Sequence, residues 1–137
     1  MQALWAGGPA DHEGDHYRMR GVVAAPIPAQ DRLPIWIGGS GGPAQRRAVA
    51  YGDGWHPMCS VDGLASRMVG FGTALTAAGR DRSEIVVAPR IDVSGVPDAA
   101  AVAAWTDAGA DELIVGASGH DRERHRSALH HVARLIE

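Results

Sequence analysis

The sequence predicts an α/β protein made of parallel strand–helix units behind an irregular N-terminal arm. Three observations lead there. Four short apolar runs recur after residue 33, each is followed by a stretch compatible with a helix, and glycine or proline marks the junctions. Residues 1–33 contain Gly7, Gly8, Pro9, Gly14, Gly21, Pro26 and Pro28, breakers spaced too closely for an element to grow, so an irregular arm is expected. Residues 34–137 are expected to hold the four units. The length of 137 residues suits a domain with a real core.

Strands are expected at residues 34–37, 54–56, 84–87 (extending towards Ile91) and 112–115. The first helix starts near Pro43, which is well placed in a first turn, and runs to a stop at Gly52. The second carries Leu64, Met68, Phe71 and Leu75 on one face and ends at Gly79, with Gly70 and Gly72 as local weak points. The third spans residues 98–108, burying Ala101, Val102 and Trp105 and ending at Gly109. The last, residues 121–136, presents Leu129, Val132, Ala133 and Ile136 on one side. Alternating strands and helices imply parallel units with right-handed crossovers, and an open sheet and a barrel segment both satisfy the pattern.

The richest motif is Gly38-Gly39-Ser40-Gly41-Gly42-Pro43, between the first strand and the first helix. Glycines let a backbone approach an anion closely, and the free amides and dipole of a helix N-terminus attract negative charge. Ser40 can add a hydroxyl donor. A tight turn that merely needs glycine is the plain alternative, although four glycines in five residues exceed that need. The segment is neither a Walker loop, since lysine is missing, nor the dinucleotide GxGxxG, so the anion expected is the phosphate of another cofactor.

Four segments, in this order, resemble the luciferase-like monooxygenase family: Gly14-Asp15-His16-Tyr17, Pro26-Ile27-Pro28-Ala29-Gln30, Leu33-Pro34-Ile35-Trp36-Ile37-Gly38-Gly39-Ser40 and Gly52-Asp53-Gly54-Trp55-His56-Pro57. Ala108-Gly109-Ala110-Asp111-Glu112-Leu113 continues the resemblance. It implies the C-terminal half of a TIM (β/α)8 barrel, strands five to eight, using coenzyme F420 or, alternatively, FMN. The wording of residues 52–57 leans towards F420. Gly38, Gly39, Ser40 and Gly41 would bind the cofactor phosphate, with Gly54, Trp55 and His56 facing the same pocket and His16 near the substrate. Trp55 and His56 have plainer readings as packing and as a solvated rim residue. Trp36 is expected in the core, Trp105 in the outer helix layer and Asp53 as a brace for its turn. No catalytic acid or base can be named, because half a barrel would lack the groups on the other four strands. The activity implied is that of an oxidoreductase; a non-catalytic or vestigial module that keeps the anion site is the alternative. Exposed edges of a half-barrel would favour a homodimer.

Composition narrows the partners. The positive residues are thirteen arginines scattered among sixteen acids, with a net charge of -3, which argues against a nucleic-acid footprint and for small molecules. No run reaches the roughly 18 apolar residues of a membrane span. Cys59 is the single cysteine, which excludes an internal disulfide and fits a reducing compartment, so a soluble, cytoplasmic protein is expected. His12-Glu13-Gly14-Asp15-His16 satisfies HExxH, the zinc-hydrolase pattern, but the flanking breakers deny it the helix it requires, and no metal is expected. His125, His130 and His131 do not converge on a helix and are expected on a solvated face.

Overall fold

The computed structural model describes residues 1–96, 98–119 and 121–135. Two compact units emerge, Met1–Leu33 and Pro34–Glu137. The first is not irregular throughout. After a short helix α1 (Gln2–Trp5), β1 (Ala10–Glu13) and β2 (Arg18–Val22) pair as an antiparallel hairpin. The breakers sit where a hairpin tolerates them. Gly14 opens the turn, its amide donating to the Tyr17 carbonyl at 3.0 Å. Gly21, at φ 60°, lies opposite the irregular register between Ala10 and His12, and its amide is taken by Asp11 Oδ1 at 2.6 Å. Of this unit only Ala10 is buried.

The second unit runs β3 (Trp36–Gly38), α2 (Gly42–Tyr51), β4 (Gly54–His56), α3 (Val61–Ala77), a 3-10 turn (Arg82–Glu84), β5 (Val86–Val87), β6 (Arg90–Asp92), a second such turn (Val93–Gly95), α4 (Ala99–Asp107), β7 (Ile114–Gly116) and α5 (Arg122–Leu135). It is a mixed α/β fold with parallel sheets. Strands pair in the order β3-β4-β5, with Trp36, Gly54 and Val86 in line, and β6 pairs with β7. The expected third strand is split in two because Ala88-Pro89 interrupts it and proline has no N–H for the ladder. The interruption is bridged, since the Arg90 amide reaches the Pro57 carbonyl and the Ile114 amide the Pro89 carbonyl. No helix among the described residues is long and apolar enough to cross a membrane.

Helix boundaries follow their caps. Ser60 accepts from the Gly63 amide at the start of α3, Asp98 from the Ala101 amide at the start of α4, and Gly79 and Gly109 adopt positive φ just beyond the two helices. Leu64, Phe71 and Leu75 of α3 are buried, Ala44 and Ala48 of α2 bring that helix close to the sheet, and Trp105 anchors α4. At the amino ends of the strands, two aspartates hold the turns. Asp53 accepts from the Ile35 amide, and Asp111 Oδ2 from both the Val87 amide and Arg82 Nη2, each at 2.7 Å in the latter case. Arg80 closes the end of α2 by donating Nη1 to the carbonyls of Ala48, Val49 and Gly52.

Strand alternation decides which side chains are covered. Ile37, Trp55, Val87 and Ile91 lie under the helices, whereas Trp36, expected in the core, is 42 % exposed on the opposite face of the sheet. Neighbouring residues in a strand point to opposite faces, and here Ile37 takes the inward position. The apolar face expected for α5 also differs. Leu129 is 72 % exposed and Ala133 is exposed, while His125, Ala128, His131, Val132 and Leu135 are the half-buried positions; Ile136 lies outside the described residues. His125 and His131 therefore leave the solvated face they were assigned. Their Nε2 atoms sit 2.9 and 2.6 Å from the carbonyls of Ala117 and Val96, and a carbonyl can only accept, so each ring donates there.

Candidate functional site

The glycine-rich segment leaves β3 at its carboxyl end and enters α2 at its amino end, which is where parallel α/β folds place ligands. Gly39 adopts φ 111°, a conformation glycine accepts and other residues resist, and its amide is used by the His56 carbonyl at 3.2 Å. Beyond it, the amides of Ser40, Gly41 and Gly42 donate to no backbone carbonyl among the described residues. Gly41 is the N-cap, and no side chain caps the helix. Three free donors thus gather at the positive end of a ten-residue helix.

Tertiary contacts hold this loop from three sides. Ser40 Oγ donates to the Met58 carbonyl at 2.6 Å and accepts from the Met58 amide at 2.9 Å. The one hydroxyl proton is thereby committed to Met58, so Ser40 offers its amide and not its side chain as a donor. Arg67 of α3 donates Nε to the Ser40 carbonyl at 3.0 Å and Nη1 to the Gly63 carbonyl at 2.6 Å. Its guanidinium also opposes the effect of burial on Cys59, whose thiol is nevertheless pushed up, burial being the larger influence. Trp55 supports the loop from beneath. Its indole N–H donates to the Gly39 carbonyl at 2.8 Å, and its ring meets Phe71 at 4.7 Å between centroids.

The sequence-designated residues therefore divide. Gly38, Gly39, Ser40 and Gly41 form the loop, and Gly38, Gly39 and Gly41 are exposed. Trp55 has no exposed surface with which to meet a ligand, so its side chain acts through Gly39. Gly54 is buried under the Trp36 indole, and a Cβ there would collide with Trp36 Cδ2. Its lack of a side chain serves packing. His56 is half-buried at the end of β4, with Nδ1 2.7 Å from the Ala88 carbonyl. Nδ1 must carry the proton of that bond, which leaves Nε2 as the acceptor of the neutral ring. His16 is an exposed turn residue of the first unit. HExxH fails as a zinc motif, because His12 lies in β1 and His16 in the following turn, not one helical turn apart. Among the described residues no three His, Cys, Asp or Glu side chains could hold a metal. Arg67 was missed by sequence reading, since nothing in α3 marks which of its polar residues faces the loop after β3.

Parallel strand–helix units, with an unpaired cluster of amides at the carboxyl rim among the described residues, define a mixed α/β protein with parallel sheets. The chain belongs to the luciferase-like monooxygenase family, whose family model matches residues 1–136. Solved structures place the fold with it. An F420-dependent secondary alcohol dehydrogenase, in complex with an F420-acetone adduct, is 17 % identical with a TM-score of 0.78, and the match covers 98 % of this chain and 57 % of that one. The coenzyme F420 dependent tetrahydromethanopterin reductase from Methanopyrus kandleri is 13 % identical with a TM-score of 0.73, covering 96 % of this chain and 60 % of that one. A riboflavin lyase with modified FMN and riboflavin matches 61 % of this chain and 19 % of its own at 19 % identity and a TM-score of 0.51. At such identities the likeness concerns the fold. This chain spans about three-fifths of the length of the first two structures. A comparison with curated proteins finds no match.

Proposed function

We propose that this chain forms part of a luciferase-like oxidoreductase and binds the phosphate end of coenzyme F420 or FMN at residues 38–42, with β3, β4, the interrupted β5–β6 and β7 as the fifth to eighth strands of a (β/α)8 barrel. The observation that carries this reading is the set of three unpaired amides, Ser40, Gly41 and Gly42, at the start of α2. An anion seated there receives backbone donors and the helix dipole together. Gly38 and Gly39 keep the approach free of side chains, Trp55 and Ser40 hold the loop in shape, and Arg67 places positive charge beside it. When bound, the cofactor's ring supplies the hydride chemistry, and the protein supplies binding and orientation. His56, with Nε2 available at the same rim, is the residue of this chain best placed to accept a hydrogen bond from a bound molecule. The wording of residues 52–57 and the two F420-dependent structures of similar fold favour the deazaflavin.

The decisive variant is Gly41→Asp. Gly41 has φ -88°, and a Cβ there meets only Pro43 Cδ at 3.7 Å, so the substitution fits. Its carboxylate would cap α2, keeping or adding a few tenths of a kcal/mol of stability, while occupying the amides and repelling phosphate. Fluorescence titration with F420 and with FMN should give saturable binding of one by the parent protein and at least tenfold weaker binding by the variant. No binding of either, or equal binding by both proteins, refutes the reading.

A further inference from the structure

The strands of residues 34–137 leave two edges open. Along a parallel pair, every second residue turns both its N–H and its C=O to the same neighbour. The Gly54 amide donates to the Ile35 carbonyl and the Gly39 amide to the His56 carbonyl, each at 3.2 Å, so Ile35, Ile37 and Gly39 face β4. The N–H and C=O of Trp36 therefore point the other way, where no strand lies among the described residues. β7 repeats the arrangement on the opposite side. The Ile114 amide donates to the Pro89 carbonyl at 3.0 Å, so Ile114 faces β6 and the N–H and C=O of Val115 face outwards.

Neither edge carries the devices that keep a strand unpaired. Solitary edges are commonly blunted by charges, proline or a bulge. β3 is Trp36-Ile37-Gly38 and β7 is Ile114-Val115-Gly116, and each runs in unbroken register with its one partner. The uncovered face is also apolar at both margins. Trp36 is 42 % exposed and Ile114 40 %, each on the side of its strand away from the neighbouring Ile37 or Val115, which join the core.

The two edges suit each other. β3 and β7 bound one set of parallel strands, joined across its middle by the Arg90 amide and the Pro57 carbonyl. The β7 edge of one copy can thus continue in parallel into the β3 edge of another, and a twofold axis along the strands makes that contact twice, leaving no edge. Two copies also bring the chain length close to the ~250 residues of a (β/α)8 barrel.

We propose that this chain pairs with a second copy of itself through these edges, β7 of each against β3 of the other, burying Trp36 and Ile114 inside a closed eight-stranded sheet. The count of eight strands rests on the barrel reading above; the open edges do not. Each copy brings its own glycine loop to the same rim, so the pair carries two anion sites.

Sedimentation velocity and light scattering on the parent chain should give twice the chain mass, and three variants locate the contact. Val115→Pro removes an outward N–H without touching a bond to β6. Ile114→Lys puts a charge at an exposed position that only pairing buries. Each should weaken self-association at least tenfold, whereas Leu129→Ser, at a 72 % exposed position of α5, should leave it unchanged. Circular dichroism checks folding, and if Val115→Pro does not fold, Ile114→Lys decides. A parent with the mass of one chain, a mass beyond two chains, a pair that survives Ile114→Lys, or one that Leu129→Ser dissolves overturns the proposal. Cofactor titration separates this from the reading above. A pair that dissolves as expected but binds neither F420 nor FMN refutes the cofactor site alone; a single-chain parent that binds one of them refutes the pairing alone.

Discussion

Trp55 donates its indole N–H to the Gly39 carbonyl at 2.8 Å, tying the buried centre of the sheet to the exposed glycine loop. Trp55→Phe keeps an aromatic ring against Phe71 but leaves that carbonyl without its donor. The expected loss is about 1–3 kcal/mol. Urea unfolding measures it, and a coupled weakening of cofactor binding would show that the bond shapes the loop. An unchanged unfolding midpoint would show that the bond contributes nothing.

Gly54 and Trp36 form a steric pair, with the indole occupying the space a side chain on Gly54 would need. Gly54→Ala forces the ring to move and should cost about 1–3 kcal/mol. Trp36→Ala should remove most of that cost, so the two changes together destabilise less than their sum. Additive losses in a double-mutant cycle would place the strain elsewhere.

Asp111 joins Val87 of β5 to Arg82 through one carboxylate oxygen. Because both side chains are partly exposed, the ion pair adds little, and the bond to the Val87 amide dominates. Asp111→Ala should lower stability by about 1–2 kcal/mol, and Asp111→Asn, which can still accept from that amide, should recover part of it. Cofactor affinity should not change, since this end of the strands lies opposite the loop. A stability of the alanine variant equal to that of the parent would rule this out.

Asp92 gives stability a pH dependence. The Ser94 amide and hydroxyl, followed by the Ser118 hydroxyl and amide, hold its carboxyl well below the usual carboxylate range. A depressed folded-state pKa contributes stability above the unfolded value, near pH 4, and that stability is lost as the pH falls below it towards the folded value. Glu84, lowered first by the Asp81 amide and then by Arg80, and Asp81, lowered by the Ser83 hydroxyl and amide, act in the same sense. Thermal midpoints measured from pH 7 to pH 2 should therefore fall below about pH 4, and Asp92→Asn should make that fall shallower. An equal slope in the variant would exclude Asp92 as a contributor.

Local chemistry made much of this protein legible from its sequence. The spacing of Leu64, Phe71 and Leu75 marks α3, Gly79 and Gly109 mark helix ends, and the run of glycines marks the turn where three amides stay free. Each of these depends on a residue and its near neighbours along the chain. Tertiary structure alone decided the rest. Whether Trp36 or Ile37 turns inward depends on which face of the sheet the helices cover, and the hairpin of residues 10–22 depends on two segments meeting across a turn. Arg67 joins the glycine loop and Trp55 becomes its support because strands and helices distant in sequence are brought side by side. Periodicity reports that a face exists, but the partner that covers it, or leaves it open, is set by packing across the whole fold.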